Sequence, residues 1–429
     1  MYRTLKSPLN VQVELTERCN HVCRHCYNFF RHGNQPLHTI SKEQVNILVE
    51  EFRRLQVVRV VITGGEPLIV PEAALYSSRL CLESGMSVSL NTNMTKFTRA
   101  IGDDLLKIGV STILTSLLAD TPEIHDHITQ VPGSWQQASS NIRLAISMGF
   151  RVLVNMVLTK WNIARVRQTG DLVGEWKVAK FGATRACAPG PIAAGFWKNL
   201  VSIEEVRESL RILYELKDKW GYEVDVFEHY PWCIMEDLDK YRYLARRKCT
   251  AGVTSASIGA DGQLRPCGHS SMKYGNVFQE GLTAPWSRME DWRKQQYSQV
   301  CNSCRFYDSC SGGCPVEAAN SPTGKDHHCT SERDIIKLPT RVTSPSISDQ
   351  RRFVFRSPLI LRKESFGGII ASAYAGLVYV DEQAFDAISF LTRGKCEIGL
   401  ADIERFGATS DEAQVLLGRL HKEKLISER

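Results

Sequence analysis

VQVELTERCNHVCRHC, residues 11–26, decides how this 429-residue chain is read. Val11-Gln12-Val13-Glu14-Leu15 alternates apolar and polar side chains with the period of a strand. Cys19, Cys23 and Cys26 follow in the loop that leaves that strand. Working outward, further strand-like runs fall at 57–63, 87–91, 112–117, 151–158 and 178–183. Helical stretches separate them at 41–55, 72–84, 97–108, 135–148 and 162–176, with Ser41 and Asn162 as N-caps. Six strand–helix units in series predict an α/β fold, a parallel sheet curled into a partial (β/α)6 barrel. Chemistry in such a fold gathers at the C-terminal strand ends. Both the cysteine loop and Thr63-Gly64-Gly65-Glu66-Pro67 are expected there.

Hydrophobic content of 43% with 23% charged residues is that of a globular protein. A net charge of +6 is mild for this length, and without a basic block it gives no sign of a nucleic-acid partner. Residues 1–19 lack the apolar core of a signal peptide, and no run approaches the length of a membrane span, so a cytoplasmic location is expected. Residues 1–229 are expected to form the barrel, with a long helix at 202–220. Residues 230–337, where Cys, Gly and Pro rise, are expected to form a small module held by metal. A Pro/Ser/Thr-rich linker is expected at 338–351. The remainder, 352–429, is expected to be a separate winged-helix-like α+β unit, with strands at 353–361, 368–373 and 376–380 and helices at 382–391, 400–406 and 410–423.

Ten of the fourteen cysteines fall into two arrays. Beyond Cys19-x3-Cys23-x2-Cys26 there is Cys249-x12-Gly262-x4-Cys267, then Cys301-x2-Cys304-x5-Cys310-x3-Cys314, then Cys329. Thiolates hold four-iron clusters in fours, so three in one tight loop leave one iron without a protein ligand. Two zinc readings compete: a zinc loop completed by His21 or His25, and a zinc ribbon at 301–314. The ribbon leaves Cys249, Cys267 and Cys329 without a role. Cys81 and Cys396 lie outside both arrays and are expected to be ordinary core or surface residues.

The loop CNHVCRHC followed by Tyr27 resembles the signature of radical S-adenosylmethionine (SAM) enzymes, with His25 where an aromatic residue is usual. The resemblance implies a TIM-like partial barrel. It also implies a [4Fe–4S] cluster on Cys19, Cys23 and Cys26 whose open iron binds SAM, and cleavage of SAM to methionine and a 5′-deoxyadenosyl radical. The Gly64-Gly65-Glu66-Pro67 stretch would meet the methionine amino group. Asn91, Asn93, Ser116, Asn155 and Arg185 would face its carboxylate, the ribose or the adenine.

The second array resembles the seven-cysteine SPASM extension of the same enzymes, implying two auxiliary [4Fe–4S] clusters. By that resemblance Cys301, Cys304, Cys310 and Cys329 hold one. Cys249, Cys267 and Cys314 hold the other, with Cys233 the candidate for its fourth ligand or a buried small hydrophobe. Relatives that mature sulfatases carry an Asp base after the cysteine matching Cys267. Here Gly268 stands there, which argues against that chemistry, and His269 is the nearest alternative base. Cys187, after the sixth strand, is a candidate hydrogen-atom donor or a packed thiol.

Residues 352–429 resemble the peptide-recognition fold of the pyrroloquinoline quinone biosynthesis D protein. The likeness rests on strands near 358–362 and 376–380, on Asp381, Ala384, Phe385, Ile388 and Leu391, on the turn Arg393-Gly394-Lys395, and on Leu416, Leu420 and Leu425. It implies a leader peptide held as an added strand. A DNA-binding winged helix and a structural cap are the alternatives. Together these resemblances imply modification of a ribosomally made precursor peptide by crosslink, thioether or epimerisation, with a flavodoxin- or ferredoxin-type electron donor. The alternative is a small-molecule cofactor precursor such as a tetrapyrrole. A non-enzymatic iron–sulfur carrier or regulator is a third class, which leaves Gly64–Pro67 unexplained.

Overall fold

The computed structural model describes residues 4–28, 36–187, 196–245, 247–295, 301, 304, 306–321, 323–330, 350–356, 358–372, 375–394 and 397–429. The chain opens with β1 (Asn10–Glu14), α1 (Lys42–Arg54), β2 (Arg59–Thr63), α2 (Pro71–Glu83), β3 (Ser87–Asn91) and α3 (Arg99–Ile108). It continues through β4 (Thr112–Ser116), α4 (Pro122–Thr129), α5 (Ser134–Ser147), β5 (Arg151–Leu158), α6 (Val166–Glu175), β6 (Lys180–Arg185), α7 (Ile203–Trp220) and β7 (Glu223–Asp225). Strands β1 to β7 are all parallel to their neighbours. Val11 and Val13 of β1 stand beside Val60 and Ile62 of β2, and all four are buried. The α/β fold with a mostly parallel sheet is the one the alternating runs predict.

Local chemistry sets several boundaries. Ser41 closes a capping box with Gln44 at the start of α1, and Ser202 does the same with Glu205 at α7. Asn162 precedes a 3-10 turn (Ile163–Arg165) and makes no side-chain cap hydrogen bond to it. Its Oδ1 accepts from Thr159 N at 2.8 Å and its Nδ2 donates to the Leu118 and Val157 carbonyls, so α6 begins four residues later, at Val166.

Two features have no counterpart among the expected elements. Helix α4 fills what reads as a loop between β4 and α5. The sheet also has nine strands, in the order β7-β6-β5-β4-β3-β2-β1-β8-β9. Strand β8 (Ser255–Ile258) pairs parallel with β1, and β9 (Leu264–Arg265) turns back antiparallel on β8. The second cysteine array is thus stitched onto the barrel edge by main-chain hydrogen bonds. Short helices α8 (Arg242–Ala245), α9 (Val277–Glu280), α10 (Thr283–Arg288), α11 (Glu290–Gln295), α12 (Tyr307–Cys310) and α13 (Pro315–Asn320) surround it.

The C-terminal residues form β10 (Phe353–Phe355), β11 (Leu359–Glu364), β12 (Gly367–Ser372), β13 (Leu377–Val380), α14 (Glu382–Gly394), α15 (Leu400–Glu404), α16 (Ser410–Lys422) and β14 (Ile426–Glu428). Strands β11-β12-β13 make an antiparallel sheet, and β10 pairs with β14. Thr409 caps α16 through a capping box with Glu412. This unit is clasped to the barrel at the end away from the cysteines. Arg362 of β11 is fully buried, ion-paired with Glu364, and donates to Ser7 Oγ and to the Ser7, Pro8 and Leu55 carbonyls. Residues 338–349 of the expected linker, and Cys396, lie outside the described residues. Among the described residues no helix is long and apolar enough to cross a membrane.

Candidate functional site

The first cysteine loop leaves the C-terminal end of β1 and is held from three sides. From β2, Gly65 N donates to Thr16 O at 2.6 Å and Glu66 N to Arg18 O at 2.9 Å. These contacts explain the glycines: a Cβ on Gly64 would lie 2.5 Å from Thr16 O, and one on Gly65 would lie 2.2 Å from Arg18 O. The two glycines make room for the stem of the cysteine loop itself. From α4, the Thr129 and Ile128 carbonyls accept from Val22 N and Arg24 N at 3.2 and 2.9 Å. From the loop after β3, Asn93 Nδ2 donates to Asn20 Oδ1 at 2.9 Å, and Asn20 Nδ2 to Thr95 Oγ1 at 2.8 Å.

Glu66 is the knot between these loops. It is buried, and its carboxylate accepts from Leu68 N (2.9 Å), Thr92 Oγ1 (2.6 Å) and Asn93 N (2.7 Å). Burial pushes its carboxyl up to about 6 against those hydrogen bonds. Pro67 starts a short 3-10 turn. Cys19, Cys23 and Cys26 are half-buried. Beside them the Nδ1 of His25 is enclosed without a hydrogen-bond partner, and burial holds its imidazole down at about 4. Three half-buried thiols in one short loop, beside an unsatisfied ring nitrogen, suit an inorganic ligand set.

Asn91 and Ser116 are half-buried at the ends of β3 and β4. Asn155 stands beside Ser116 on β5, with its Oδ1 accepting from Thr184 Oγ1 at 2.9 Å. Arg185 does not face outward for a cofactor. It is 1% exposed, donates from Nε to Glu228 and from both Nη atoms to Asp326 at 2.6 and 2.7 Å, and lies over the Tyr230 ring. Burial pushes the Asp326 carboxyl up, but the Arg185 charge beside it wins and holds it at about 2. Burial likewise raises Glu228, to about 8.

The second array divides by position. Cys249, Cys267 and Cys314 line one wall of a cavity of about 930 Å³, together with Glu228, Gly268 and His269. Tyr27, next to Cys26, lines the same cavity, and its ring stacks on His269 with centroids 4.1 Å apart. The cavity is thus walled by three cysteines of the second array and, from the first loop, by Tyr27. A Cβ on Gly268 would already sit 3.3 Å from the Tyr27 ring, so this position has little room for an Asp. Burial lowers His269 to about 4. The buried ion pair of Glu14 with Arg265 ties β1 to β9 beneath this wall.

Cys233 stands apart from that wall. Its thiol is hydrogen-bonded to Cys329, whose own thiol also meets Cys301, and Thr330 N donates to Cys233 Sγ at 3.4 Å. Trp232 N donates to Cys310 Sγ at 3.2 Å, and Cys304 lies one turn from Cys301. Cys233 thus joins the Cys301–Cys310–Cys329 group, not the Cys249–Cys267–Cys314 group expected for it. Cys187 is 4% exposed, and its thiol is hydrogen-bonded to that of Cys314. Among the described residues no three His, Cys, Asp or Glu side chains converge as ligands of one metal ion do. The thiolates of a four-iron cluster sit on different irons and stand farther apart.

Sequence reasoning missed α4 as the prop of the cysteine loop, and Asn20, Thr92 and Thr95 as its anchors. Asn20 lies between Cys19 and Cys23, inside the motif, where the spacing singles out only the thiols.

Comparison with known proteins agrees with this geometry. Residues 13–173 match the radical SAM superfamily and residues 249–305 match SPASM, an iron–sulfur cluster-binding domain. The AdoMet-dependent heme synthase of Oleidesulfovibrio alaskensis is 24% identical over 319 residues, 70% of this chain and 81% of that protein. The mycofactocin maturase MftC of Mycobacterium tuberculosis is 27% identical over 327 residues, 73% of this chain and 79% of its own. Streptococcus suis SuiB bound to S-adenosylmethionine superposes with a TM-score of 0.61 at 17% identity, covering 76% of this chain and 77% of SuiB. SuiB bound to the precursor peptide SuiA gives 0.59 at 18% identity, covering 76% of each chain. The chain is thus similar to the radical SAM superfamily over residues 13–173 and to the SPASM iron–sulfur cluster-binding domain over residues 249–305.

Proposed function

We propose that this protein is a radical SAM enzyme that modifies a ribosomally made precursor peptide. The observation that carries it is the cavity lined by Cys249, Cys267 and Cys314 of the second array together with Tyr27, the neighbour of Cys26 in the first loop. A cavity of about 930 Å³ has room for a segment of extended chain. Cys19, Cys23 and Cys26 would hold the first cluster and leave one iron for SAM. When bound, that cluster and SAM supply a 5′-deoxyadenosyl radical able to abstract a hydrogen atom. The protein's own part is positional. Glu66, Asn93 and Asn20 fix the loop, while Tyr27 and His269 wall the reaction space. The groups Cys249–Cys267–Cys314 and Cys301–Cys304–Cys310–Cys329 would hold auxiliary clusters that pass electrons.

A peptide substrate is supported by the C-terminal unit. Strand β13 is an edge strand, and a groove of about 350 Å³ beside it is lined by Tyr379, Ala384, Phe406, Val415, Leu416 and Arg419. An edge next to an apolar groove suits strand addition by a leader peptide. SuiB, bound to its precursor SuiA, and MftC, named a maturase, lean the same way. A second substrate class is favoured by one finding: the relatives named heme synthase are as similar overall, which points to oxidation of a tetrapyrrole side chain.

The test is incubation of the reduced, iron-loaded chain with SAM and either a short peptide encoded beside its gene or a porphyrin precursor. A mass change in the peptide with 5′-deoxyadenosine formed, both absent in Cys23→Ala, is expected. Modification of the porphyrin alone would replace the peptide by the second substrate. No 5′-deoxyadenosine from the intact chain would end both.

A further inference from the structure

We propose that Cys187 is the fourth thiolate of the cluster held by Cys249, Cys267 and Cys314, so that the barrel itself closes one auxiliary cluster. This rests on the auxiliary-cluster assignment above and adds to it the ligand that the seven-cysteine array lacks.

The placement is specific. Cys187 lies two residues past the end of β6, is 4% exposed, and has its thiol close to that of Cys314. Cys314 in turn shares its cavity wall with Cys249 and Cys267. The approach of these two cysteines is enforced by their neighbours. Arg185, two residues before Cys187, grips Asp326 with both Nη atoms, and Asp326 Oδ2 accepts from the backbone N of Cys314 at 2.7 Å. One carboxylate therefore fixes the strand end that carries Cys187 and the loop that carries Cys314. Ala186 N, donating to Leu158 O at 3.0 Å, holds the intervening residue in the sheet's register. The rival, Cys233, is engaged with Cys329 on the other side of the array.

The chemistry balances without a further reagent. As the cluster assembles from iron and sulfide, the Cys187 S–H bond breaks, its sulfur bonds the fourth iron, and the proton goes to solvent. A cluster with four protein thiolates has no open iron. It relays electrons and does not bind substrate directly. Its potential is then set by its protein surroundings. A hydrogen-atom donor role for Cys187 would be excluded by the same bond.

The test uses the full chain with Cys19, Cys23 and Cys26 all replaced by Ala, so that only auxiliary clusters remain. It is loaded anaerobically with iron and sulfide, reduced, and examined by EPR with and without cyanide, a small ligand for open iron. With Cys187 intact, the spectrum is expected not to respond to cyanide. With Cys187→Ala added, one cluster signal should become cyanide-sensitive, while Cys233→Ala should leave it insensitive. Cyanide sensitivity with Cys187 intact, or opened by Cys233→Ala alone, would overturn the proposal. If Cys187→Ala fails to fold, Cys187→Ser keeps the size of the side chain. An EPR spectrum identical to that of the Cys187-intact protein would then overturn it equally. Absence of any auxiliary signal with all seven array cysteines present would defeat the cluster assignment itself, and this proposal with it.

Discussion

The two cysteine arrays are built in opposite ways. Around Cys19–Cys26 the protein does the shaping. Backbone donors from β2 reach the loop's stem, carbonyls of α4 receive two of its amides, and Asn20 is bonded to Asn93 and Thr95. Around Cys301–Cys329 the elements are helices of four to six residues, and the recurring contacts are thiol to thiol. One fixed tie there is Arg185 with Asp326, which belongs half to the barrel. If both arrays hold clusters as proposed, the difference teaches that the first site is preformed and then loaded, while the second is completed by what it binds. That suits a reactive centre that must admit and release SAM beside relay centres that need never open.

Removing the iron should show this contrast at its largest. In hydrogen-exchange experiments on iron-free protein, amides of residues 301–329 should exchange close to the unfolded rate, while Gly65, Glu66 and Asn93 stay protected. Equal loss of protection in both regions would break the comparison. Next comes Arg185→Ala, which leaves Asp326 and Glu228 buried without their cation. A loss of about 3–5 kcal/mol in denaturant unfolding is expected for breaking such a buried pair. A change below about 1 kcal/mol, the scale of a surface pair, would show that the tie is not what joins barrel and module. The smallest effect should come from Glu66→Gln, whose amide must turn a donor toward one of three donors the carboxylate now accepts. About 1–3 kcal/mol should be lost, with faster exchange at Asn93 and Leu68 and unchanged exchange at 301–329.

The barrel was legible because its strands carry their own signal. Residues 87–91 and 151–158 coincide with β3 and β5, the first alternating polar and apolar side chains and the second largely apolar. Helix α4 was not legible: Pro122 at its start and only eight residues of mixed polarity read as a loop. Nor was β8, because Ser255-Ala256-Ser257-Ile258 has no strand signature of its own and is recruited by its non-local pairing with β1. The array cysteines announced themselves by spacing. Cys187 did not, because its partner Cys314 is distant in sequence and the contact depends on the Arg185–Asp326 clasp. An arginine after a barrel strand suits a cofactor contact, and nothing in the sequence near Arg185 points to Glu228 or Asp326. Its true neighbours come from residues far along the chain.

The burial of Arg362 has a consequence for reach. It anchors the C-terminal unit to Ser7, Pro8 and Leu55, just ahead of β1 and β2, whereas the cysteine loop and Gly64–Pro67 lie past the other ends of those strands. A five-residue strand at about 3.3 Å per residue spans roughly 17 Å. A peptide gripped by the C-terminal unit and modified in the cavity must therefore bridge at least that length along the barrel wall, which takes about five residues of extended chain. The clasp then works as a ruler: it sets a minimum distance in sequence between the gripped segment and the first residue that can be altered.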